Sequence, residues 1–218
     1  WALLNPFALL VGVLSLLMFI NQGACYLQMK TEAPLRQRAE TVSLISASLA
    51  AVLFVVAGVW LASAGMGYKV TRLIDSNAIN SAVTKTVEVS SGAWFNNYGT
   101  YPLLWIFPAL GVAAFLLSAL CSKLAKGWQA FVASSLAMAG VILTCGVSMF
   151  PFIMPSSSMP NHSLTMWDAT SSELTLKIMF VVACIFVPII LCYTAWCYWK
   201  MWGRLNRNSI SANTHSLY

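Results

Sequence analysis

The sequence predicts an all-α membrane protein with five transmembrane helices. Three observations carry that prediction: five long apolar stretches at 6–29, 42–63, 102–122, 128–151 and 176–202, a composition 59% hydrophobic and only 8% charged, and the placement of the charges between the stretches. A helix crosses the hydrocarbon core in about 20 residues at about 1.5 Å rise each. Within the windows only Lys177 and Lys200 are charged, and both sit at edges. So apolar a composition is not that of a soluble domain.

The first stretch opens on Asn5 and Pro6, which suits a helix start. It lacks the basic leader and small-residue cleavage site of a signal peptide, so it is expected to remain as a helix. Near its far end come Asn21, Gln22 and Gly23. Amides there can hydrogen-bond a neighbouring helix for about 0.6 kcal/mol. They do not titrate, so a helix contact outranks a step in a quinone or proton path. The second stretch is rich in small residues (Ser46, Ala47, Ser48, Ala50, Ala51), and so is the fourth (Ala133, Ser134, Ser135, Ala137, Ala139, Gly140). Small side chains let membrane helices approach closely, which places these two in the interior. Their faces are expected to lack part of their complement within these five helices. Pro108 and Pro188 are expected to bend the third and fifth helices.

The connection 64–101 carries Lys69, Arg72, Asp75, Lys85 and Glu88. Short helices lying along the surface, as a cap or partner surface, are expected there. In the connection that follows the fourth stretch, Pro151, Pro155 and Pro160 stop the helix and hold the chain extended. Thr170 and Glu173 have capping-box spacing, and Lys177 follows Glu173 by four, a favourable helical pair. Asn161-His162-Ser163 is a glycosylation sequon by pattern, too short to weigh.

Lysine and arginine set the topology. Lys30, Arg36, Arg38, Lys123, Lys126, Lys200, Arg204 and Arg207 share one face, against Lys69, Arg72, Lys85 and Lys177 on the other. The C-terminus is therefore expected in the cytoplasm and the start of the chain on the outer side. Aromatic residues flank the third and fifth spans, as interfacial rings do (Trp94, Phe95, Tyr98, Tyr101 and Trp105; Tyr193, Trp196, Tyr198, Trp199 and Trp202). The net charge of +6 follows this topology and does not form a nucleic-acid stripe.

The chemistry within the spans is sparse. Cys25, Cys121, Cys145, Cys184, Cys192 and Cys197 all fall within spans and are expected as buried thiols. Asp75, Glu88, Asp168, Glu173, Glu32 and Glu40 lie in connections or at an edge, so no acidic relay is expected at bilayer depth. His162 and His215 lie outside the membrane, where neither can ligate a haem, and Met149 is expected to pack. No catalytic, cofactor-binding or metal-ligating residue is assigned.

Three groups of residues resemble a known family: Asn21-Gln-Gly-Ala-Cys-Tyr-Leu-Gln-Met-Lys30; Met149-Phe-Pro-Phe-Ile-Met-Pro-Ser-Ser-Ser158 with Leu164-Thr-Met-Trp-Asp-Ala-Thr-Ser-Ser172; and Pro188-Ile-Ile-Leu-Cys-Tyr-Thr-Ala-Trp-Cys-Tyr-Trp-Lys-Met-Trp-Gly-Arg204 with Asn213-Thr-His-Ser-Leu-Tyr218. They resemble subunit II of cytochrome bd-type quinol oxidases, bacterial respiratory enzymes that oxidise ubiquinol and reduce oxygen to water. The resemblance covers the C-terminal part of that subunit; the family's earlier helices, with a Gly-Phe-Asp motif, have no counterpart here. It implies a four-helix bundle plus one peripheral helix in a bacterial inner membrane. The implied partners are a haem-bearing subunit I, which holds haem b and haem d, and a small accessory membrane subunit. No cofactor is implied for this chain alone. Of the matched residues, Trp167 is expected to anchor at the outer interface, and Asp168 to accept hydrogen bonds from the start of the last helix. A half-repeat of a transporter is the alternative, weakened by the lack of charges in the spans and of a matching pair of broken helices. A tetraspan-like scaffold is a third reading, disfavoured because its outer connections would need bracing cysteines.

Overall fold

The computed structural model describes residues 4–65, 67–71 and 85–200. Arg72, Asp75, Trp202, Arg204, Arg207, His215 and the closing Asn213–Tyr218 lie outside the described residues.

Among the described residues, five helices are long and apolar enough to cross a membrane. Helix α1 (Pro6–Lys30) starts as its sequence demands: the Asn5 side chain accepts from the Ala8 N–H at 2.7 Å, and Pro6 occupies the first turn. Helix α2 (Leu35–Ser63) begins seven residues before the expected window. Hydropathy marks only the part of a helix that suits lipid, and the polar turn ahead of it is helical too, braced by Arg36 donating to Glu40 at 3.0 Å. Helix α4 (Ile106–Lys123) follows a short 3-10 turn (Pro102–Trp105), and α5 (Gly127–Met149) follows at once. Pro108 is the third residue of α4, within the continuous helical run Pro102–Lys123. Helix α7 (Glu173–Lys200) runs through Pro188, which leaves the Cys184 carbonyl without its usual donor.

Helices α1, α2, α4 and α5 pack in a closed ring, each against two neighbours, with α4 on α5 and α1 on α2 most extensive. In such a ring no helix is central. The small residues of α2 and α5 do turn inward (Ala47, Ala50, Ala51; Ala133, Ser134, Ala137, Gly140), but α1 and α4 contribute equally through Leu14, Met18, Asn21, Gly111, Ala114, Phe115 and Ser118. Most of the small residues thus find contacts within these helices, while Ser48 and Ala139 stay exposed. The α4–α5 approach is closest at Gly111 and Gly140, where a Cβ on Gly140 would lie 2.7 Å from the Gly111 nitrogen. By contrast, α7 buries none of its 28 residues. Cysteines divide the same way. Cys25 and Cys121 are buried, whereas Cys145, Cys184 and Cys192 are exposed and Cys197 partly so. A thiol is apolar enough to face lipid, so position in a span does not imply burial.

One end of the bundle, here the turn end, carries the brief connections 31–34 and 124–126. The second is a rigid helix stop. The Lys126 N–H reaches the Cys121 carbonyl at 2.9 Å and the Ala125 N–H reaches Ser122 at 3.1 Å, with Ala125 at φ 57°. That is the Schellman pattern, with alanine in the left-handed position usually given to glycine. The Arg36 guanidinium donates to the Ala125 carbonyl and ties α2 to this turn.

The other end, the loop end, is a cap. Besides the short helices expected in the 64–101 connection (a 3-10 turn Ala93–Phe95 and α3 Asn96–Thr100), it contains a 3-10 turn Pro160–His162 and α6 Met166–Ala169 where an extended chain was expected, and two small antiparallel ribbons. Strand β1 (Tyr68–Val70) pairs with β2 (Val87–Val89), and β3 (Phe152–Met154) with β4 (Leu164–Thr165). The strands were not anticipated, because two- and three-residue strands give no periodicity to read. Val87, Trp94 and Phe152 form their core, packed on Leu61, Tyr68, Val70, Phe95 and Met149. Asn97 pins α3 to the bundle by donating to the Val147 and Phe150 carbonyls at 2.7 and 2.8 Å, groups that the end of α5 leaves unpaired.

Candidate functional site

Two buried polar systems stand out, one inside the bundle and one inside the cap. The first is built on α1, whose Asn21 and Gln28 are seven apart and so share one face. Both are fully buried. Gln28 Nε2 donates to Ser122 Oγ at 3.1 Å and to the Ala39 carbonyl at 3.3 Å. Ser122 and Ser43 are 2.8 Å apart, and Ser43 donates to Asn21 Oδ1 at 2.8 Å. A hydroxyl has one proton, so Ser122 must be the donor to Ser43. Asn21 Nδ2 then donates to Ser134 at 3.0 Å and Ser118 at 3.3 Å, and Ser118 donates to the Ala130 carbonyl at 3.3 Å. Cys25 lies 3.2 Å from Ser43 within this layer. Every ring helix thus contributes to one directed chain of neutral hydrogen bonds.

Beyond Asn21 the interior turns apolar, with Leu14, Met18, Ala50, Ala51, Ala114, Phe115, Ala137 and Val141 closing it. The chain of hydrogen bonds runs from the turn end to this apolar cluster and joins all four ring helices. Gln22 makes the expected contact, donating to Ser135 at 2.9 Å. The Oε1 atoms of Gln22 and Gln28 have no partner among the described residues.

The second system is an ion pair. Lys85 donates to Asp168 Oδ2 with both side chains buried, 0% and 1% exposed. The same oxygen accepts from the Thr165 N–H at 3.1 Å and the Thr165 hydroxyl at 2.7 Å. Burial alone would raise the Asp168 carboxyl, but the hydrogen bonds from Lys85 and Thr165 and the lysine's charge outweigh it and hold the group below the usual carboxylate value. Nearby, the Val87 N–H donates to Asn161 Oδ1 at 2.8 Å. Together these bonds clasp the 64–101 connection to the 150–172 connection.

The pair corrects two expectations. Asp168 does not serve the start of α7; it serves Thr165 and Lys85. The capping box is formed by Thr165 and Asp168, not by Thr170 and Glu173, since Thr170 ends α6 and Glu173 is already the first residue of α7. Both pairs have the same spacing, and only one has a buried lysine to neutralise its carboxylate. Glu173 instead pairs with Lys177 at 2.6 Å, as expected, on an exposed surface. Trp167 is half-buried, and His162 is exposed on its 3-10 turn. Lys85, Ser43, Ser118, Ser122 and Gln28 were not anticipated. The seven-residue step from Asn21 to Gln28 and the four-residue step from Ser118 to Ser122 were the available signals. Among the described residues no group of three metal-ligating side chains occurs, and the buried Met18 sits in the apolar core.

Residues 1–201 match the family model described as cytochrome bd terminal oxidase subunit II. The chain is 57% identical over 216 residues to a probable cytochrome oxidase subunit 2 of Haemophilus influenzae, and 52% identical over 216 residues to the cytochrome bd-I ubiquinol oxidase subunit 2 of Escherichia coli K12. Each alignment covers 99% of this chain and 57% of the relative, so the chain spans little more than half the length of the curated relatives it matches.

Proposed function

This chain belongs to the cytochrome bd terminal oxidase subunit II family, and we propose that it acts there as a membrane scaffold beside a haem-bearing subunit I. The complex would oxidise ubiquinol and reduce oxygen to water in a bacterial inner membrane, with haem b and haem d held by the partner. The observation that carries this reading is the interior of the bundle. Its polar groups are neutral, bonded to one another across all four ring helices, and sealed by an apolar core. Such an interior fixes helix positions and excludes water; it does not ligate, relay charge or turn over substrate. The turn end, with Lys30, Arg36, Arg38, Lys123 and Lys126, faces the cytoplasm on the charge argument. A small accessory membrane subunit completes the proposed assembly.

The test is a reduced-minus-oxidised visible spectrum of the complex captured on a tagged form of this chain from bacterial membranes. Haem b and haem d bands with ubiquinol oxidase activity are expected. A haem-free capture, unchanged when the chain is extended by the family's preceding helices, would overturn the proposal.

A further inference from the structure

We propose that the outer groove between α4 and α5 at the turn end seats an anionic phospholipid. The groove has a volume of about 300 Å³ and is lined by Leu117, Cys121, Trp128, Gln129, Val132 and Leu136. From Trp128 to Leu136 it follows α5 for about 12 Å along the helix axis, at about 1.5 Å per residue. Its walls are mostly apolar and exposed, which suits an acyl chain.

What singles out this groove from the rest of the exposed apolar surface is the charge beside its turn end. Lys123 ends α4 and Lys126 immediately precedes α5, and both are exposed. No acidic residue occurs from 102 to 167, so neither wall nor the turn offers a competing carboxylate. Of the two glutamates of the neighbouring connection and its following turn, Glu40 is already paired with Arg36. The positive end of the α5 dipole lies at the same place, and no side chain caps it. The turn is also rigid. Its Schellman bonds and the Arg36 contact to Ala125 fix the backbone from which both lysines project. A phosphodiester with no ammonium of its own complements two such lysines, whereas a zwitterionic headgroup brings a repelled cation. A free anion would leave the apolar walls unused.

The test is native mass spectrometry of the assembled complex, equilibrated in micelles containing equal phosphatidylglycerol and phosphatidylcholine. Wild type is expected to retain phosphatidylglycerol selectively. K123Q/K126Q should retain about thirtyfold less of it, as the loss of two charge contacts at about 1 kcal/mol per basic residue requires. V132W, which fills the groove, should exclude both lipids. R38Q, a basic residue of the same end but on α2, should change nothing. Equal retention by wild type and K123Q/K126Q, an equal loss in R38Q, or no retained lipid at all would overturn the proposal. So would displacement of the phosphatidylglycerol by inorganic phosphate, which would make the site one for free anions.

Discussion

The bundle layer around Asn21 and the Lys85–Asp168 clasp bury polar groups by opposite means. The layer is neutral, spreads over four helices, and shares its cost among many weak bonds. The clasp is ionic, joins two connections, and concentrates its cost in one lysine and one carboxylate. In lipid an interhelical hydrogen bond contributes only about 0.6 kcal/mol on average, because unassembled helices find other partners. A buried charge has no such fallback. The layer therefore degrades gradually under mutation, while the clasp fails at the loss of either partner.

The largest expected effect follows from that difference. Lys85→Met leaves the Asp168 carboxylate buried and unpaired, which costs about 3–5 kcal/mol. Asp168→Leu leaves the lysine in the same position. The double variant K85M/D168L removes both charges and is expected to recover most of the loss. Thermal unfolding of the chain in lipid nanodiscs measures all three. A double variant no better than either single would show that the charges contribute nothing beyond their volume.

The clasp should also respond to acid, which the layer cannot. The Asp168 carboxyl is held below its ordinary value of 3.8 in the folded protein. A carboxyl depressed by folding contributes stability that is fully present well above its unfolded value and disappears as pH falls through the folded one. Its contribution is thus intact at neutral pH and lost progressively below about pH 4. The unfolding temperature of wild type should fall more steeply than that of K85M/D168L between pH 5 and pH 3, the other carboxylates being common to both. Parallel curves would assign the acid sensitivity elsewhere.

Within the layer, Asn21 and Gln28 should behave differently. Asn21→Leu strips bonds from Ser43, Ser118 and Ser134 at once and costs about 1–3 kcal/mol by leaving buried hydroxyls unpaired. Gln28→Met removes a donor to Ser122, but it also removes an acceptor without a partner among the described residues. The two terms oppose each other, and the net change should stay under about 1 kcal/mol. A Gln28 variant as damaging as the Asn21 one would mean that its Oε1 is satisfied by an internal water.

The two systems were also unequally legible in the sequence. The helices follow from hydropathy and length, and an amide within a span such as Asn21 is conspicuous because lipid makes every polar group a question. Gln28, Ser118 and Ser122 fall on its face by helical arithmetic once Asn21 is chosen. Nothing comparable points to Lys85. It lies in a polar connection more than 80 residues from Asp168, and no local periodicity links them. The capping box shows the same limit, since Thr165 and Thr170 both have an acidic residue three positions on. Only the tertiary position of a lysine decides between them. Lipid-facing cysteines escaped for a related reason: hydropathy says that a residue is in the membrane, not which way it faces.

The smallest effect is expected where an ion pair stays in the open. Glu173 and Lys177 are 2.6 Å apart at helical spacing, yet their side chains remain 83% and 72% exposed, on a helix that buries none of its residues. Water screens both charges and solvates whichever one survives, so Glu173→Gln should cost only about 0.3–0.5 kcal/mol. The change sharpens the contrast with Asp168, which has the same kind of lysine partner and a closer enclosure. Burial, not pairing, then sets the roughly tenfold difference expected between the Lys85 and Glu173 variants. If Glu173→Gln destabilised the chain as much as Lys85→Met, the start of α7 would have to be enclosed by protein in the assembled state.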